Sequence, residues 1–179
     1  NDDIEIAKQH KLIKNNQVLI RSGFPVKKFQ TQESNKGMIR EKYNLKNSDF
    51  VIGIIAPFKP QKGLLHLVEI ATRIVSKYDQ VIFFIAGDGE LRETLEKRIR
   101  EKGMQKNFRL PGFIYEIEKI IDIFNIGMST ALWEGLPQSL IQMRLKKKAI
   151  VASDIPGNRE VIRENLNGFL VDVFDYKRF

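Results

Sequence analysis

This 179-residue sequence predicts an α/β fold: a parallel sheet with helices on both faces. Two observations carry that prediction. Apolar, β-rich runs alternate with stretches whose apolar residues recur at helical spacing. The runs are also almost continuously apolar, as strands buried on both faces are, and not alternating like strands with one wet face.

The elements follow in order. Residues 1–15 read as a short helix without a partner, 17–25 (QVLIRSGFP) as a strand and turn, and 35–43 (NKGMIREKY) as a helix. Four strong strand runs come next: 49–56 (DFVIGIIA), 80–87 (QVIFFIAG), 126–130 (IGMST) and 149–153 (AIVAS). Two weaker ones are 107–112 (NFRLPG) and 168–173 (GFLVDV). Between the first two strong runs, Leu64, Leu67, Val68, Ala71, Ile74, Val75 and Tyr78 form a stripe of 3.6 period. Leu91, Leu95 and Ile99 share the face of the next helix, and Gly103 is its C-terminal stop. Shorter helices are expected over 115–124, 137–147 and 156–165. Both ends of the sequence look cut. The expected division is a remnant of a preceding region over 1–20, then a domain over 21–179 that stops before a covering helix.

Composition narrows the chemistry. Without cysteine there are no disulfides, thiolate metal sites or thiol nucleophiles, and two histidines make a histidine-rich metal site a poor expectation. No apolar run approaches the roughly 20 residues of a membrane span. The net charge of +8 attracts phosphate-bearing partners in general: nucleic acid, anionic lipid or phosphorylated small molecules. Aromatic residues are thinly interleaved with the basic ones, so nucleic acid is not the expected partner.

In parallel sheets ligands bind beyond the carboxyl ends of the strands. That directs attention to PFKPQKG, GDGE, GFIYE, TALWEGLP and SDIPGN. Lys59 and Lys62 precede a long helix and Gly63 lets backbone approach closely; they form either an anion site or a pair of solvated lysines. Gly87 and Gly89 make a tight turn, ordinary for a strand-to-helix connection and short of a three-glycine dinucleotide fingerprint. Glu134 is either a plain helix cap or a carboxylate placed for sugar hydroxyls. Gly135 and Leu136 can offer N–H groups, and Pro137 suits a first helical turn. Gln142, over one turn further on, either binds a diol through its amide or faces solvent. Trp133 is expected to pack, not to serve as a stacking platform.

As an ordered set, VLIRSGFPVKKF, VIGIIAPFKPQKG, FIAGDGELRETLE, LPGFIYEIEKIID and LWEGLPQSLIQMRLKKKAIVASDIPGNREVI resemble the donor-binding half of group 1 (family 4) retaining glycosyltransferases of GT-B fold. The resemblance runs through nearly the whole chain. It implies a Rossmann-like domain that binds a nucleoside-diphosphate sugar without a metal or other cofactor. Glu134 would approach the donor sugar and Gln142 the ribose. Lys62, with Lys59 and the N–H groups of Gly135 and Leu136, would stabilise the leaving diphosphate. Gly63, Gly87, Phe113 and Ile114 would complete the donor site. It further implies that a missing N-terminal domain holds most of the acceptor, and that the protein is cytoplasmic, with peripheral association at the inner membrane face. Three positions depart from the family pattern: Pro57 replaces an arginine, Gln142 a glutamate, and LKKKA a Gly-Lys-Pro turn. An amide holds a diol less strongly than a carboxylate, by about 1 kcal/mol.

Two other readings compete. A nucleotide-sugar 2-epimerase shares the GT-B fold, but EGLPQSLIQ argues against it. A degenerate, non-catalytic sugar-nucleotide module draws support from Pro57 and Gln142. If the donor reading holds, the strand ends at Ala56 and Thr130 must be neighbours and Lys62 must share a site with Glu134.

Overall fold

The computed structural model describes residues 2–13, 18, 20, 23–30 and 34–179. Six parallel strands form one sheet: β1 (Phe50–Ile55), β2 (Val81–Ala86), β3 (Phe108–Gly112), β4 (Ile126–Ser129), β5 (Ala149–Ser153) and β6 (Gly168–Val171). Their spatial order is β3-β2-β1-β4-β5-β6, the Rossmann order, with the chain reversing direction across the sheet between β1 and β4. The four strong and two weaker strand runs from residue 49 onward are all present as strands, and the fold class is as expected.

β2 explains why the runs were continuously apolar. All six of its residues, VIFFIA, are buried. Alternate side chains point to opposite faces. Ile82, Phe84 and Ala86 join one core cluster with Val51, Phe124, Leu140 and Met143. Val81, Phe83 and Ile85 join the other with Ile54, Leu67, Val68 and Leu95.

The second face is covered by α4 (Leu64–Val75) and α5 (Arg92–Glu101). The predicted α4 stripe is buried at Leu64, Leu67, Val68 and Ala71, whereas Tyr78 lies beyond the helix end and is exposed. Gly103, at φ +67°, ends the α5 segment as expected. The first face carries α2 (Val26–Gln30), α3 (Lys36–Lys42), α6 (Ile117–Ile120) and α7 (Gln138–Leu145). α1 (Asp2–Gln9) matches the predicted first helix. α8 (Pro156–Arg159) is far shorter than the 156–165 expected; buried Asn158 within it donates its amide N–H to the Ser153 carbonyl (2.8 Å), tying the helix to the end of β5. Of the strand and turn expected over 17–25, residues 17, 19, 21 and 22 lie outside the described residues; Val18 and Ile20 carry no strand.

The LKKKA departure has a structural role. Lys146 Nζ lies 3.1 Å from Asp122 Oδ1, and each side chain is only 7% exposed. Ser34 donates to Asp122 Oδ2 from its N–H (3.1 Å) and its hydroxyl (2.8 Å). Lys148 Nζ donates to the Phe124 carbonyl at 2.7 Å. The two lysines thus pin the segment before β4 to the turn before β5.

Candidate functional site

A cleft of about 700 Å³ opens at the carboxyl edge of the sheet, where the strand order reverses. Its floor comes from Ile55, Ala56 and Pro57 after β1 and from Ala86, Gly87 and Asp88 after β2. Phe113, Ile114, Tyr115 and Ile117 line the side beyond β3; Glu134 and Leu136 stand after β4; Gln138, Ser139 and Gln142 line it from α7. Phe24, Pro25, Lys28 and Phe29, around α2, form a further wall.

The loops after β1 and β4 meet as the sequence requires, because β1 and β4 are paired in parallel register. Leu132 N–H donates to the Gln61 carbonyl (2.8 Å), and Gln61 Nε2 donates to the Trp133 carbonyl (2.9 Å). The Thr130 hydroxyl donates to the Lys62 carbonyl at 3.0 Å. Gly63 closes this junction: at φ +60°, a Cβ there would lie 2.1 Å from the Thr130 carbonyl oxygen. The result brings Lys62 and Glu134, 72 positions apart, into an ion pair. Their side chains are 16% and 11% exposed, so both charges are largely withdrawn from water and each requires the other.

Gly87 has a comparable constraint. At φ +146° a Cβ would strike the Ala56 carbonyl oxygen at 1.9 Å, so only glycine lets the β2 turn lie against the end of β1. Next to it, Asp88 Oδ1 accepts from Arg92 Nε (2.7 Å) and from the Gly89 N–H (2.8 Å). The Arg92 hydrogen bond, followed by that of Gly89, holds this carboxyl below its usual range, so the cleft's second acid is ionised and already compensated.

Gln138 and Gln142, one turn apart, share the helix face that lines the cleft. Gln142 is half-buried and lines the cleft, and its amide forms no side-chain hydrogen bond with the described residues. Of the residues singled out from sequence, Lys62, Gly87, Phe113, Ile114, Glu134, Leu136 and Gln142 line this one cleft. Lys59, Gly63 and Gly135 do not. Lys59, in extended conformation before the turn Pro60–Lys62, is exposed; Gly63 is buried behind Lys62; Gly135 is exposed at the rim. Trp133 also differs from expectation: its carbonyl is anchored, but its side chain is 58% exposed and not packed. Lys28, Asp88, Tyr115, Gln138 and Ser139 are lining residues that sequence reasoning missed.

Residues 35–179 match the family model of the glycosyl transferases group 1. The chain belongs to that family. It is 32% identical over 123 residues to the poly(ribitol-phosphate) alpha-N-acetylglucosaminyltransferase of Staphylococcus aureus, covering 68% of this chain and 25% of that protein. It is 28% identical over 165 residues to the UDP-Gal:alpha-D-GlcNAc-diphosphoundecaprenol alpha-1,3-galactosyltransferase of Escherichia coli, covering 90% of this chain and 42% of that protein. This group 1 chain thus spans less than half the length of these curated relatives. A glycosyltransferase structure from Rickettsia africae superposes with a TM-score of 0.84 over 97% of this chain and 48% of its own, at 21% identity, which supports the fold. No helix of the described residues is long and apolar enough to cross a membrane.

Proposed function

We propose that this chain is the donor-binding half of a retaining glycosyltransferase that takes its sugar from a nucleoside diphosphate. One observation carries the reading: three switch-point elements deliver Lys62, Glu134 and Gln142 to a single cleft, with the first two already ion-paired. The E. coli relative, named for a UDP-sugar donor, supports the same substrate class.

In the reaction, the bond from the anomeric carbon to the diphosphate oxygen breaks. An acceptor oxygen bonds to that carbon from the same face, and the acceptor's proton leaves with the diphosphate. Lys62 stabilises the charge that develops on the leaving oxygen, with the Leu136 N–H as a second donor. Glu134 accepts hydrogen bonds from the sugar hydroxyls, and Gln142 from the ribose diol while donating its own N–H. Lysine charge and backbone dipoles replace a metal in this scheme. The acceptor is held mainly by a preceding domain, and a chain of net charge +8 suits an acceptor at an anionic membrane surface on the cytoplasmic side.

Pro57 lines the cleft where the family pattern has an arginine, and Lys59 does not line it. That favours a second reading, a non-catalytic sugar-nucleotide module; transfer by the complete protein separates the two. The direct test of donor binding is a thermal-shift screen against UDP-, GDP- and ADP-sugars, since a ligand of the folded state raises stability by mass action. Lys62→Ala should weaken nucleoside-diphosphate binding by roughly 10–100-fold, and Lys59→Ala by far less. Equal affinities of wild type and Lys62→Ala by calorimetry remove Lys62 from the site.

A further inference from the structure

Gly135, the glycine beside Glu134, makes no demand on space: nothing lies within 4 Å of where its Cβ would be. Gly157, in the turn after β5, is the reverse. A Cβ there would lie 2.4 Å from the Glu134 carbonyl oxygen and 2.7 Å from that of Gly135, and below 3.0 Å something must shift. Its φ is not left-handed, so the demand is one of space alone. Gly157 is buried and does not line the cleft, whereas Glu134 and Leu136 do. α8 thus stands behind the loop that carries Glu134.

The two carbonyls fix which way the rest of their peptides faces. In a planar trans peptide the N–H points away from the C=O of the same unit. With the Glu134 and Gly135 oxygens turned to Gly157, the N–H groups of Gly135 and Leu136 are turned away from α8, to the cleft side of the loop. Neither N–H donates to any of the described residues. Backbone donors are rarely left without an acceptor, so two in succession at a cleft wall suit an anion. The brace behind them is fixed. The wholly buried Asn158 donates its side-chain amide to the Ser153 carbonyl (2.8 Å), and the Asp154 N–H donates to the Val171 carbonyl (2.7 Å). These bonds hold the turn to the ends of β5 and β6, while the loop is open on its Gly135 side. A side chain added at Gly157 therefore moves the loop and not α8.

We infer that Gly157 is a positioning residue for the transfer: it admits the two carbonyls into the space a side chain would occupy, and so aims the N–H groups of Gly135 and Leu136 at the terminal phosphate of the donor's diphosphate. This rests on the donor-cleft reading above and adds to it a residue that touches no ligand. Oriented N–H donors stabilise charge on a leaving oxygen only while their aim is kept. A displacement of about 1 Å costs up to roughly 100-fold, and the methyl group of alanine at Gly157 imposes a shift of about that size.

The test measures calorimetric affinities of this chain for the diphosphates and monophosphates of uridine, guanosine and adenosine. For a given base, the ratio of the two affinities reads the terminal phosphate alone. A loss of folded protein weakens both alike and leaves the ratio unmoved. Three proteins are compared: wild type, Gly157→Ala and Asn158→Ala. The last adds no atoms and only releases the brace, so where Gly157→Ala does not fold, Asn158→Ala decides. Wild type should bind the diphosphate of its preferred base roughly 100-fold more tightly than the monophosphate. In Gly157→Ala that ratio should fall by about 10-fold, the worth of one hydrogen bond to a charged group, and in Asn158→Ala by about 3-fold. An unchanged ratio overturns the inference and leaves the donor cleft standing. A raised ratio also overturns it, since the group displaced would then be the Glu134 carboxylate, releasing Lys62. If wild type binds none of the six ligands, or shows no preference for a diphosphate, the donor-cleft reading falls and this inference with it.

Discussion

Glu134 and Lys62 neutralise each other in the free cleft, and this has a measurable consequence. An incoming diphosphate must compete with Glu134 for the ammonium. Glu134→Gln keeps the shape but frees Lys62, so binding of a nucleoside diphosphate without a sugar should tighten several-fold, since a charge-assisted contact is regained without displacing an acid. The same variant should lose affinity for the intact sugar nucleotide, whose hydroxyls no longer meet a carboxylate. Calorimetry with both ligands decides; parallel shifts in the two would show that Glu134 does not touch the sugar. Gln142 permits a second comparison at this scale. If its amide holds the ribose diol, Gln142→Ala should weaken a nucleoside diphosphate by about 3–10-fold, the worth of one neutral hydrogen bond. Gln142→Glu should strengthen it, because ionised acceptors make hydrogen bonds about twice as strong. Both effects should shrink with the 2′-deoxy ligand; equal losses on deoxygenation in all three proteins would place Gln142 away from the ribose.

At the scale of elements, legibility followed burial. Strands buried on both faces leave continuous apolar runs, and α4 leaves a clean stripe, so these were readable from the sequence. α2 was not: VKKFQ contains one buried residue, Phe29, and no capping signal, and Lys28 was missed with it. Lys59 was misplaced for a related reason. Proximity along the chain suggested the site, but the turn Pro60–Lys62 sends only its last residue into the cleft. Asp122 also escaped notice, since nothing in IIDIF distinguishes a buried acid from a solvated one. Burial raises the pKa of its carboxyl, but the Ser34 N–H and hydroxyl and the Lys146 ammonium outweigh burial and leave it below the ordinary value. A depressed carboxyl contributes stability above its unfolded pKa and loses it as pH falls through the folded one. Asp122→Asn should therefore cost about 3 kcal/mol near neutrality, where Lys146 is left buried without its partner. The difference from wild type should shrink below about pH 4. Urea denaturation at the two pH values measures this; a cost independent of pH would assign Asp122 a role of shape alone.

For the whole molecule, the sheet couples the two cores. β2 sends Phe83 to one cluster and Phe84 to the other, so neither face can lose its packing while the strand between them stays intact. Phe83→Ala and Phe84→Ala should each cost about 3–5 kcal/mol, the usual loss for a large aromatic in a close-packed core. Both should lower stability within one shared transition, because each sits on the strand that joins the two cores. Trp133, the only tryptophan, offers a probe at the opposite end of the argument. It stands in the loop after β4, which carries Glu134 and is tied to the loop after β1 through Gln61 and Thr130. If those ties make the cleft part of the cooperative unit, Trp133 fluorescence and far-ultraviolet circular dichroism should report the same urea midpoint in wild type and in both variants. A fluorescence transition at lower urea would mean that the cleft loops open by themselves. The cleft would then be assembled by its ligand, not held ready by the sheet, and the pairing of Lys62 with Glu134 would be one state among several.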